Sequence, residues 1–174
     1  VNDSTGRGSA RSLSLVHGNT GPITAIDRAN QTITVMGLTI KTHTATAYKN
    51  VTYFGALAVG DAVEVYGTLQ TDNSVLATLI EKETGAYTNR VVGRVSQLDT
   101  NAKTFKVGSL LVNYGTATLV GALAEGRQIK VQAMQGPVNN MLTAYSIKVS
   151  DGAAYGSSVA PSSYLKLKGV AEAA

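Results

Sequence analysis

The chain of 174 residues contains no cysteine and no tryptophan. Without cysteine there are no disulfides, no thiol nucleophile and no cysteine metal site. Charge is also scarce: Asp, Glu, Lys and Arg make up 15% of residues, against about 25% in ordinary soluble domains. Thr, Ser, Gly and Asn take their place, a surface more typical of an exported β-protein than of a cytosolic enzyme. No apolar run approaches the roughly 20 residues that a membrane-spanning helix needs. The net charge of +4 is spread over single residues such as Arg28, Lys41, Lys49, Arg94 and Lys103. A nucleic-acid face would gather them, so nucleic acid is not the expected partner.

What is present is a repeated phrase. "GALAVG" at Gly55–Gly60 returns as "GALAEG" at Gly121–Gly126. The segment from Gly21, "GPITAIDRANQTITVMGLTIKTHTAT", also aligns with "GRVSQLDTNAKTFKVGSLLVNYGTAT" from Gly93, at a constant offset of 72 residues. Gly21 meets Gly93, Asp27 meets Asp99, Val35 meets Val107, and "TAT" meets "TAT". About six extra residues in the first copy, within "AYKNVTYF", shift the offset to 66 for the two GALA phrases and for the strand residues after them. Order and spacing recur together, which is the mark of a duplicated unit. The phrase itself holds no His, Ser or Cys, so it reads as a structural joint.

Each copy reads as five strands. Alternation places Val63, Val65, Ile129 and Val131 on one face, with Glu64, Tyr66, Lys130 and Gln132 on the other. Turn formers separate the runs: "DRAN", "DTNA", "TDNS" and "GPVNN". Long helical periodicity is absent, and each GALA phrase reads as one helical turn between the third and fourth strands. The expected fold is all-β: two tandem five-stranded OB-like β-barrels with short helical turns between strands 3 and 4. The expected organisation is an N-terminal arm with a strand (1–17), a first module (18–86), a second module (87–150), a linker (151–163) and a lone C-terminal strand (164–174).

The pattern Gly-x-Val/Ile-x-x-Ile/Leu-Asp, Thr-Ile/Phe-x-Val, a Thr-rich strand, Leu-x-x-Gly-x-x-Val/Ile-x-Val and a closing Leu-x-Ala-x-x-Ile resembles the bacterial repeat family catalogued as domain of unknown function 5666. The resemblance spans about residues 18–83 and 90–149. It implies OB-like modules, export to the envelope or extracellular space, and a non-enzymatic role, with no catalytic residues to carry over. The sequence departs from the pattern where Ala133 stands in place of the glycine found at Gly67, and in the first-copy insertion. An exported chain is expected to have lost its leader before Val1.

Chemistry-bearing residues are few. His17 and His43 have no nearby His or acidic cluster, so they are expected on the surface and not in a metal site. No Gly-x-Ser-x-Gly elbow or Walker loop occurs. Neither an enzyme nor a cofactor is expected. Among the eight tyrosines, Tyr48, Tyr53 and Tyr66 are the candidates for stacking a polysaccharide or single-stranded nucleic acid, the alternative reading as a binding module. Caps on barrel ends are the plainer use of these rings.

The chain ends suggest assembly. "RSLSLVHG" alternates, with Leu13 and Leu15 on one side, and "YLKLKGVAEAA" carries Leu165, Leu167 and Val170. The second stretch resembles the opening strand of a module, with nothing after it to pair with. It is a truncated third module, a strand folded back on its own sheet, or one donated to a neighbour. The first expectation for function is therefore a non-enzymatic extracellular or cell-envelope structural protein, a homo-oligomer or polymer that assembles through these terminal strands.

Overall fold

A computed structural model describes residues 16–150. The first half supplies β1 (Val16–Asp27), β2 (Thr32–Val35), β3 (Leu38–Lys41), β4 (Ala47–Lys49), β5 (Ala62–Leu69) and β6 (Val75–Lys82). The turns between them follow from their side chains. Asp27 Oδ1 accepts from the Ala29 and Asn30 backbone N–H groups, both at 3.0 Å, which closes the β1–β2 turn. Met36 and Gly37 both take positive φ (50° and 71°), the conformation that a tight two-residue hairpin between β2 and β3 demands.

Five of these strands close on themselves. β1 pairs antiparallel with β2 and with β5, β2 with β3, and β5 with β6; β3 joins β6 in parallel and completes the ring. Alternation fills the interior: Ile33, Val35, Ile40, Val63, Val65, Val75, Ala77 and Ile80 are buried. A closed barrel leaves no edge among these five strands. Short β4, which the five-strand reading lacks, runs parallel to β6 on its outer flank.

The second half contains β7 (Asn89–Arg94), β8 (Ser96–Asp99), β9 (Thr104–Val107), β10 (Leu110–Asn113), β11 (Thr118–Val120), β12 (Gln128–Ala133), β13 (Met141–Thr143) and β14 (Ser146–Val149). Its pairings repeat the same order: β8 with β9, β9 with β10, β10 parallel to β13, β11 parallel to β14, and β12 between β7 and β14. The first and last strands, however, are each interrupted, at Val95 and at Ala144–Tyr145. Its strands consequently divide between a four-stranded sheet and the ten-stranded sheet that begins in the first half. In the first half, Gly67 lies so close to the Leu76 carbonyl oxygen that a Cβ would collide with it. Ala133 occupies the corresponding place near the break in the last strand; in the first half the β5–β6 ladder shifts register at the same point, between Tyr66 and Gly67.

Two independent tandem barrels are therefore not what the sheets display. β1 pairs with β7 through Thr20 and Arg90, and one continuous core holds Leu38 and Val65 together with Phe105, Val107, Leu110 and Ile147. The expectation of a helical turn in each GALA phrase also fails. A single 3-10 turn covers Phe54–Ala56 in the first half, and the second phrase has none. Leu57 is extended and buried, while Gly60, Gly121 and Gly126 take positive φ, so each phrase is an irregular loop.

Candidate functional site

Two features stand out on the surface: a polar cleft where the halves meet, and the outer edge of β11.

The cleft has a volume of about 250 Å³. Thr34 and Thr39, cross-strand neighbours on β2 and β3, form one side. The β5–β6 turn contributes Asp72, Asn73 and Ser74, and the β9–β10 turn contributes Gly108 and Ser109. Asp72 is the organising residue. Its Oδ2 accepts from Lys41 Nζ at 2.7 Å, and its Oδ1 accepts from the Ser74 hydroxyl at 2.6 Å and the Ser74 N–H at 2.9 Å. The Lys41 ammonium first, then Ser74, holds the Asp72 carboxyl well below the usual carboxylate range. Across the junction, Ser109 donates through its hydroxyl and its N–H to the Gly37 carbonyl, both at 3.0 Å. Hydroxyls, an amide and one ion pair can hold a small polar molecule.

The candidate tyrosines do not meet. In-register neighbours share a sheet face. Tyr48 is in register with Ile80 and turns toward the core, half-buried; burial raises its phenol pKa. Tyr66 is in register with Leu79, the next residue along, and so lies on the opposite face. Tyr53 is 61% exposed beside Gly55. None of the three lines the cleft. His43 builds its own turn: its N–H donates to Thr46 Oγ1 at 2.9 Å and its Nδ1 accepts from the Ala45 N–H at 3.2 Å. Among the described residues no three His, Cys, Asp or Glu side chains gather as metal ligands, and no helix is long and apolar enough to cross a membrane. Leu13, Leu15, Leu165, Leu167 and Val170 lie outside the described residues.

The two halves treat their flanking strands differently. Beside β4, Lys49 forms an ion pair with Glu81 at 2.7 Å and Asn50 Nδ2 donates to the Lys82 carbonyl at 3.1 Å. The six-residue insertion then returns onto the barrel, with Val51 and Phe54 against the core and Leu57 buried. Its counterpart β11 has no insertion after it and no charged residue within it. Thr118, Leu119 and Val120 are all exposed, Leu119 by 43% and Val120 by 53%. Among the described residues its one strand partner is β14, so it ends the larger sheet. Uncharged, uncovered edges of this kind are templates for a further strand. The sequence gives β11 no signal of its own, because three residues are too few to show alternation.

No curated protein matches the chain. Residues 20–81 match the family model described as Domain of unknown function (DUF5666). This segment, which contains nearly all of the closed barrel, is what the chain has in common with the DUF5666 family.

Proposed function

We propose that the protein is a non-enzymatic structural subunit of the cell envelope or extracellular space, made of two OB-like barrel units of which the second is interrupted. It self-assembles by β-strand addition through its terminal strands, around Leu13–Leu15 and Leu165–Val170. The observation that carries this reading is the apolar, uncharged edge at β11, with Leu119 and Val120 exposed. The low charge and Thr-rich strands support it, as does the continuous core, which packs the two halves of a subunit together. Light scattering and electron microscopy over a concentration series test it. Assemblies are expected from the full chain and are lost when residues 164–174 are removed. A chain that stays monomeric throughout the series overturns the reading.

A second reading, favoured by the cleft around Asp72, is a binding module for a polar ligand such as a polysaccharide. Titration against a glycan array, with Lys41→Met as control, separates the two. Binding that this substitution abolishes, in a chain that does not assemble, replaces the first reading with the second.

A further inference from the structure

We propose that the outer face of β7, β12 and β14 binds an anionic polysaccharide, one whose sugar rings carry carboxylates. The inference stands apart from the assembly reading, and none of the residues that build this face lines the Asp72 cleft.

Strand pairing gathers cations that look scattered along the chain. Ile129, Val131, Ile147 and Val149 are buried, so alternation turns Lys130, Gln132, Ser146 and Lys148 outward. On β7, Arg90 is in register with Gln132 and Arg94 with Gln128, which brings both arginines to the same face. Lys130 lies directly opposite Lys148. The three strands contain no Asp or Glu.

The arginines are engaged within the chain. Arg90 forms an ion pair with Glu64 at 3.6 Å, and Arg94 Nη1 donates to the Gln70 carbonyl at 3.2 Å. Among the described residues neither Lys130 nor Lys148 has an ion-pair partner. Like charges facing each other across a ladder repel. The fold does not demand this pair, because the equivalent positions of the first half hold Glu64 and Glu81, also in register. Each of those carboxylates has a cation from its own chain, Arg90 for Glu64 and Lys49 for Glu81. The first half thus neutralises its like-charged pair internally, whereas the second half leaves two ammonium groups for an anion from outside. Thr20 is in register with both Glu64 and Arg90, so the carboxylates lie on the same sheet face, beyond β1. They repel an anion there and confine it to the second half.

The rest of the face selects the kind of anion. Gln128, Gln132 and Ser146 stand among the cations with amide and hydroxyl groups that both donate and accept, as sugar hydroxyls require. β7, β12 and β14 contain no aromatic residue, so a nucleic-acid base finds no ring to stack on. The one apolar side chain that they turn outward is Val92, 6% exposed, which gives a lipid layer nothing to take up.

Titration of the full chain with polygalacturonate tests the proposal, with dextran and oligothymidylate as the neutral and nucleic-acid comparisons. Binding of polygalacturonate alone is expected, weakened by added salt. Lys130→Gln combined with Lys148→Gln should weaken it about tenfold, the sum of two exposed ion pairs. Because this change removes a repulsion, the melting temperature should not fall. Lys103→Gln with Lys106→Gln makes the same change in net charge on and beside β9, in the other sheet, and should leave binding as it was. Lys41→Met should also leave it unchanged, which separates this face from the cleft. No binding of polygalacturonate, or equal weakening by both lysine pairs, overturns the proposal. Oligothymidylate bound as tightly through Lys130 and Lys148 overturns it in favour of nucleic acid. Light scattering reads assembly in the same samples, so failure here leaves the assembly reading in place, and a chain that binds without assembling removes that reading alone.

Discussion

The side-chain oxygen of Asn19 accepts a hydrogen bond from the Val92 backbone N–H at 2.7 Å. Asn19 is on β1 and Val92 on β7, so a buried amide side chain joins the first strand of one half to the first strand of the other. The direct β1–β7 ladder has a single register pair, Thr20 with Arg90. Asn19 extends it by one bond, in a place where water does not reach. Asn19→Ala leaves a buried N–H without an acceptor and is expected to destabilise the protein by about 1–3 kcal/mol. Urea unfolding reads this directly. An unchanged midpoint would mean that the halves do not depend on this bond.

Gly37 carries the other close approach between the halves. Its φ is +71°, and a Cβ there would fall against the Leu110 Cβ and 2.6 Å from the Leu110 backbone nitrogen. Gly37→Ala therefore meets a backbone penalty of about 1–2 kcal/mol and a clash with main chain that cannot rotate away. A lowered melting temperature is expected, by at least about 2–4 °C per kcal/mol for a chain of this size. The same substitution at Gly60, where φ is +94° but no atom lies within 4 Å, carries the backbone penalty alone and should cost less.

The ion pair at the cleft predicts an acid-sensitive contribution. Lys41 and Ser74 depress the Asp72 pKa in the folded chain. A carboxyl with a depressed folded pKa contributes stability that is present above its unfolded value, roughly 4, and is lost as pH falls toward the folded value. Urea midpoints measured from pH 6 down to pH 2 should therefore decline more steeply for the wild-type chain than for Asp72→Asn. Parallel curves would show that Asp72 has no linkage to folding. Both side chains are largely exposed, so added salt should reduce the difference.

The one letter by which the twin phrases differ has a structural cause. Val59 stands in "GALAVG" and Glu125 in "GALAEG". The Glu125 carboxylate accepts from the Gln97 and Leu98 N–H groups at 3.0 and 3.1 Å, just past the break at Val95, where Gln97 takes a positive φ of 51°. In the first half β1 runs through the equivalent point, and Arg28 holds the loop instead by donating to the Gly55 and Leu57 carbonyls. Glu125→Val should cost about 0.5–1.5 kcal/mol, because water can partly replace the lost acceptor at this exposed site. Exchange of the Gln97 and Leu98 amides should accelerate. If those two amides stay as slow as in the wild type, Glu125 does not hold them.

Much of the fold is legible along the chain. The alternation at Val63–Val65 and Ile129–Val131 marks strands whose inner faces are indeed buried, and the Asp27 and Asp99 turns form as their short carboxylates require. The candidate tyrosines are not legible in the same way. Tyr48 and Tyr66 lie on opposite faces because Ile80 and Leu79, their register partners, are consecutive residues. Registry between distant strands depends on how the barrel closes, and no local pattern states it.

The all-β class, the strand periods, the turn positions and the family of residues 20–81 are all written in the linear chain, because each depends on side-chain patterns a few residues apart. Folding in three dimensions was needed to establish that both halves share one core, that the second copy's first and last strands break, and that β11 has β14 alone beside it among the described residues. Those outcomes depend on contacts between residues far apart in the chain, such as Gly37 with Leu110 and Asn19 with Val92, which bring the two halves together.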